Sequence, residues 1–198
     1  MLYDQHGNRK YLTANERRAF IVAAKQARPD IATFCLTLAY TGARISEVLA
    51  LTARSVDFGT RAVIIRCLKR RRDGVFRTIP VPGSFLEQLE SVYGIAKRQY
   101  SPSQCDERLW SWCRTTAWTY VKAVMVDAGV LGTWATPKGL RHGLCVEGTT
   151  DAGIPLNVMQ RWLGHARIET TAIYANAIGT EERRLARRLW AEGVPFDN

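Results

Sequence analysis

Thr136-Pro137-Lys138-Gly139-Leu140-Arg141-His142, then Arg161-Trp162-Leu163-Gly164-His165, then Thr170-Thr171-Ala172-Ile173-Tyr174 form the stretch around which the chain is organised. Thr136-Pro137 reads as a helix start, with Thr as N-cap and Pro at the first helical position. Lys138 and Arg141 lie three apart and so share a helical face. Arg161 to Gly164 reads as a helix ending at a glycine, with His165 just past it. Tyr174 falls on another short helical segment. Neighbouring elements thus offer cations, an imidazole and a phenol. Cations beside a hydroxyl suit attack on a phosphate, because the developing charge lies on oxygens that arginine holds bidentately.

The composition agrees with an anionic partner. The chain has 198 residues, enough for one good core, with 46% hydrophobic and 23% charged residues, ordinary values for a globular protein. The net charge of +10 is not ordinary. It points to a polyanion, and nucleic acid is the commonest soluble one. An anionic membrane competes, but no long apolar run, signal peptide or broad-faced amphipathic helix is visible. The five cysteines lack C-x-x-C spacing. They read as free thiols in a reducing cytoplasm rather than as disulfides or a zinc site. His6, His142 and His165 have no metal-site spacing, so metal-free chemistry without a cofactor is expected.

Outward from that stretch, the chain reads as mostly helical with one small sheet, an α+β single domain. Residues 1–12 form an expected loose arm. Thr13-Ala14-Asn15-Glu16 fits a capping box and opens a helix to about Ala27, ended by Arg28-Pro29. Asp30 is the expected cap of a second helix, apolar almost all round and therefore buried. Thr41-Gly42 interrupts it, and helical periodicity resumes from Arg44 to Leu51. The period then changes. Arg61 to Leu68 and Val75 to Val81 read as strands around an Asp73-Gly74 turn, with Ser55-Val56-Asp57 as a third antiparallel strand. Ser84-x-x-Glu87 is a second capping box, opening a helix to about Arg98. Thr115 to Ala128 is a helix stopped by Gly129, with Trp118, Val121, Val124 and Met125 at core spacing. Glu181 to Trp190 is a last, charged helix.

Charge is concentrated on the hairpin. Arg66, Lys69, Arg70, Arg71, Arg72 and Arg77 are offset by Asp73 alone, which puts half the net charge of the chain on one turn. One or two such residues protect a sheet edge. This many fit DNA phosphates. Arg44 and Glu47, three apart, read either as a surface ion pair or as a carboxylate fixing an arginine fork. His142, four from Lys138, reads either as structural, the favoured reading, or as a residue supporting the site.

Taken together, these motifs resemble the tyrosine recombinases of the phage-integrase family. Thr41-Gly42-Ala43-Arg44-Ile45-Ser46-Glu47-Val48-Leu49-Ala50-Leu51 resembles the first arginine box. Gly139-Leu140-Arg141-His142, Leu163-Gly164-His165 and Thr170 to Tyr174 resemble the second, in order. The resemblance runs from about Thr13 to Gly179. It implies the catalytic-domain fold of that family, metal-free strand cleavage and a covalent phosphotyrosine. Arg44 and Arg141 match the phosphate-clamping arginines, Lys69 the lysine that protonates the leaving 5′-oxygen, and His165 the histidine that bonds the scissile phosphate. Tyr174 matches the nucleophile and Glu47 the supporting acid. Two departures stand out. Lys138 occupies a position that is usually histidine. The N-terminal helical clamp domain usual in the family has no counterpart in the dozen residues before the match, so the chain is either an excised catalytic domain or a natural minimal one.

The expectation is a site-specific recombinase or integrase acting on a double-stranded DNA site. A tetramer on DNA, a monomer when free and exchange of residues 180–198 between protomers follow from the resemblance alone. A type IB topoisomerase-like relaxing enzyme and a non-catalytic DNA-binding module remain alternatives.

Overall fold

The hydroxyl of Thr13 accepts from the Glu16 amide while the Glu16 carboxylate accepts from the Thr13 amide. Two donors that a helix start leaves orphaned are thereby satisfied, and α1 (Ala14–Gln26) begins where the capping box requires. The computed structural model describes residues 3–68 and 74–175, with the backbone alone for 173–175. The hairpin residues Lys69, Arg70, Arg71, Arg72 and Asp73, the expected helix from Glu181 to Trp190 and the segment 180–198 lie outside the described residues.

The arm is not loose along its whole length. Tyr11 and Leu12 are buried, and the Leu12 amide donates to the Gly139 carbonyl at 3.1 Å. The Arg9 guanidinium stacks on the Trp134 ring, 4.1 Å from its centroid, and pairs with Glu16. Packing therefore begins before the capping box, because Leu12 carries apolar surface that the following helices cover.

Helix α2 (Pro29–Thr41) starts with Pro29 in its first turn and Arg28 at the cap. Asp30 does not cap it. Its carboxylate accepts from the Arg28 side chain and the Ile31 amide instead. Every residue from Ala32 to Ala39 is buried, as an all-round apolar helix demands. Thr33, Thr37 and Thr41 tolerate this by donating their hydroxyls to the carbonyls of Pro29, Thr33 and Thr37. Gly42 ends the helix at φ 59°, and a β-carbon there would come within 2.7 Å of Leu144 and 2.9 Å of Leu163. Glycine is thus required both for the left-handed turn and for close packing. Only Ile45–Val48 follows as helix α3, shorter than the periodicity up to Leu51 implies.

Strands β1 (Val56–Asp57), β2 (Ala62–Arg66) and β3 (Phe76–Pro80) pair antiparallel in that order. Val63 lies opposite Ile79 and Ile65 opposite Arg77. Arg77 and Ile79 share the buried face of β3 while Phe76, Thr78 and Pro80 are exposed, the strict alternation of a half-buried strand. Helix α4 (Gly83–Tyr93) has Pro82 as its N-cap with no side-chain cap, so the Ser84 box does not form. Gly94 at φ 58° then separates α5 (Ile95–Gln99), where one continuous helix was expected.

Helix α6 (Arg114–Asp127) buries Ala117, Val121, Val124 and Met125. Trp118 shares their spacing yet is 45% exposed. Helix α7 (Pro137–Thr150) carries Thr136 as N-cap, whose hydroxyl accepts from the Gly139 amide. It packs on α1 and α2, and on α8 (Leu156–Leu163) and α9 (Glu169–Ala175). No helix of the described residues is long and apolar enough to cross a membrane.

Candidate active site

Arg141 is anchored by two helix ends. On α7 it is only 6% exposed. One terminal nitrogen donates to the Gly42 carbonyl just past α2, the other to the Leu163 carbonyl at the end of α8, both at 2.6 Å. Carbonyls at helix C-termini lack intrahelical partners and carry the negative end of the helix dipole. Their partial negative charge stabilises the buried Arg141 guanidinium. Lys138, one turn earlier, is exposed.

Arg44 is anchored by a carboxylate. The Arg44 amide donates to Glu47 at 2.8 Å and its guanidinium to the same carboxylate at 2.9 Å. Glu47 is 2% exposed, so the surface-pair reading of these residues is set aside. Its second partner is Arg77, which donates to Glu47 at 2.6 and 3.3 Å, to the Trp162 carbonyl at 2.7 Å and to the Cys67 sulfur at 3.2 Å. Burial pushes the Glu47 carboxyl up, but the hydrogen bonds and charge of Arg77, aided by Arg44, hold it below its ordinary value. Charge alone puts Arg77 among the hairpin cations for DNA. It is instead turned inward, because alternation along β3 puts it on the face of Ile79. Arg66, at the end of β2, is exposed.

His165 follows Gly164, which closes α8 at φ 66°. Its amide donates to the Gln160 carbonyl at 3.1 Å, and its ring Nδ1 lies 2.9 Å from the Thr171 hydroxyl. Burial, then the charges of Arg141 and Arg44, push its pKa down to about 3. His142 is pushed down to about 4 by burial and by Lys138 and Arg141. Both rings are neutral near pH 7.

Arg44, Lys138, Arg141, His142 and His165 line one open cleft of about 850 Å³. Thr170 on α9 lines it too. Tyr174 falls on that helix; its side chain lies outside what is described. Lys10, Arg114 and Trp118 also line the cleft, and sequence reasoning missed all three. Arg114 and Trp118 are four apart at the start of α6, a spacing that puts both on one face. A basic residue one turn before an indole was the available signal.

The model of the phage integrase family matches residues 10–180. The chain belongs to the phage integrase family. Relatives of this integrase-family chain include the tyrosine recombinase XerC of Roseiflexus castenholzii, 31% identical over 144 residues, which are 69% of this chain and 44% of that protein. The chain thus spans less than half the length of that relative. The crystal structure of XerA recombinase superposes with a TM-score of 0.72 at 23% identity, covering 90% of this chain and 62% of that one. XerH site-specific recombinase bound to difH substrate gives 0.71 at 15% identity, covering 95% and 59%. The integrase-family chain therefore has the fold of tyrosine-recombinase catalytic domains.

Proposed function

We propose that this chain is a site-specific DNA strand transferase that cuts and rejoins duplex DNA through a phosphotyrosine bond. The observation that supports it best is the convergence of Arg44, Lys138, Arg141 and His165 on one cleft beside the helix that carries Tyr174. In this reading the Tyr174 oxygen attacks a backbone phosphorus in line with the 5′-oxygen. The P–O5′ bond breaks, the phenol gives its proton to solvent in the open cleft, and the 5′-oxygen takes one from Lys69, which solvent reprotonates. The product is a 3′-phosphotyrosine. Attack by a 5′-hydroxyl of another strand reverses the step, so the bond energy is conserved and no nucleotide cofactor is consumed. Arg44, Arg141, Lys138 and neutral His165 meet the non-bridging oxygens, where charge accumulates in the transition state. A tyrosine ordinarily titrates near ~10, so this cationic cleft also eases loss of its proton. The XerH structure in complex with its substrate supports DNA as the partner class.

The test is covalent capture. Nicked duplexes selected by the protein from a randomised pool are incubated with it and run on a denaturing gel. An SDS-resistant protein–DNA species is expected. Duplex binding without any such species would favour the binding-module reading.

Lys138 stands where an imidazole was expected, so its contribution is separable. Lys138→Ala should slow adduct formation by ~10²-fold, the usual effect of deleting a transition-state donor. Lys138→His should keep much of the rate, since it too offers an N–H at the cleft edge. Equal rates for parent and Lys138→Ala would remove Lys138 from the chemistry.

Arg70, Arg71 and Arg72 contribute to affinity rather than to chemistry. Replacing Arg70, Arg71 and Arg72 with alanine should weaken binding to all duplexes alike. It should also flatten the log–log salt dependence by ~0.9 for each phosphate that is no longer neutralised. An unchanged slope would place the hairpin tip away from DNA.

A further inference from the structure

Thr171 is fully buried on α9, three residues before Tyr174. Its hydroxyl lies 2.9 Å from Nδ1 of His165, the imidazole at the cleft wall. A neutral imidazole carries one N–H, on either Nδ1 or Nε2, and the bond made by one nitrogen decides the state of the other. The Thr171 hydroxyl can donate or accept. If the ring donated Nδ1–H to Thr171, Nε2 would bring a lone pair to an anionic phosphate, and the contact would be repulsive. If Thr171 donates to Nδ1, Nε2 carries the proton and meets the phosphate as a donor. Desolvation and the neighbouring guanidinium groups keep the ring from escaping this choice by taking a second proton.

We propose that Thr171 is a positioning residue that fixes His165 as its Nε2–H tautomer, so that packing of α9 is a condition for having a hydrogen-bond donor at this corner of the cleft. This rests on the reading of the cleft as a phosphate site. It has a consequence for strand cleavage. The helix that carries the nucleophile also carries the group that sets the imidazole, so the two parts of the site are assembled together. A chain with α9 undocked would lose the donor as well as the phenol.

The tautomer is directly measurable. The full chain has only three histidines, so long-range ¹H–¹⁵N spectra at pH 7 resolve each ring, with a His165→Asn sample assigning the signals of His165. A protonated Nε2 with an unprotonated Nδ1 is expected in the parent and in Thr171→Ser. The isosteric Thr171→Val, which lacks the hydroxyl, should show averaging between tautomers. It should also form the adduct more slowly by ~10²-fold, the scale of a displaced catalytic group, with duplex affinity unchanged. An Nδ1–H or averaged ring in the parent overturns the proposal, and so does a Thr171→Val protein with parental spectra and rate. If Thr171→Val fails to fold, the parent and Thr171→Ser spectra still decide. A parent with the expected tautomer but no adduct on any duplex would sink the strand-transfer reading and leave the tautomer assignment standing.

Discussion

Tyr174→Phe is expected to bind duplex DNA as the parent does and to form no covalent adduct. The substitution removes only the phenolic oxygen and keeps the ring, so packing and phosphate binding survive while the attacking atom is gone. A loss of ~10⁴-fold or more is the scale on which removing a reacting group acts. The other six tyrosines are poor substitutes, since none lines the cleft. Tyr40 packs on Phe85, with ring centroids 5.3 Å apart, and Tyr120 packs on Trp112 at 4.9 Å. Tyr93 packs on Trp110, shares a hydrogen bond with Thr33 and is pushed up to about 12 by burial. Tyr11 is buried, Tyr100 is exposed past α5, and Tyr3 pairs with Arg9 near the chain start. Mass spectrometry of the parent adduct should place the nucleotide on the peptide containing Tyr174. A nucleotide on any other residue would overturn the assignment.

The second large effect is on stability. Glu47→Ala should cost about 3–5 kcal/mol, because it leaves the buried Arg77 guanidinium without its carboxylate. For a chain of this size that lowers Tm on the order of 10 °C. Arg77→Ala should destabilise similarly and leave the salt dependence of DNA binding unchanged, which separates it from the hairpin cations. A salt slope flattened by Arg77→Ala would restore Arg77 to the DNA interface, and an unchanged Tm for both variants would deny the pair its structural role. The pH dependence has a definite sign. His142 and His165 titrate in the unfolded chain near 6.5 but in the folded protein only near about 4 and about 3. As pH falls below 6.5 the unfolded state takes up protons that the folded state refuses, so stability is lost progressively. Glu47, ordinarily titrating at 4.5 and held lower here, adds a further loss as pH falls through its depressed folded value. Thermal melts from pH 7 down to pH 4 should fall monotonically.

Much of the site was legible because its residues announce themselves through local order. The arginine boxes, the Leu-Gly-His turn and the Thr-Thr-x-x-Tyr segment follow one another in the chain, and each lies at a helix start or end marked by Thr, Pro or Gly. Trp118 misleads because its spacing with Val121 and Met125 is that of a buried face, whereas the wall it would have met is missing at the cleft. Arg77 misleads from the opposite side. Its charge groups it with the hairpin, although its alternation with Ile79 already places it inward. Thr171 carries no signal, because a threonine on a short helix is unremarkable until its partner is known.

The amino-acid order by itself determined the capping box at Thr13, the left-handed turns at Gly42 and Gly164, the antiparallel sheet and the sequence of cationic, imidazole and phenol-bearing segments. Each depends on backbone preferences and side-chain period within a few residues, which neighbours in the chain suffice to set. Tertiary structure alone decided what each polar group faces. Arg141 reaches carbonyls 99 and 22 residues away, Arg77 reaches Glu47 across 30, and the helix bearing Tyr174 holds His165 through Thr171. Which cation is turned toward solvent and which is locked in the interior depends on which buried faces meet. That is settled by the packing of distant segments, where an unpaired charge would cost several kcal/mol.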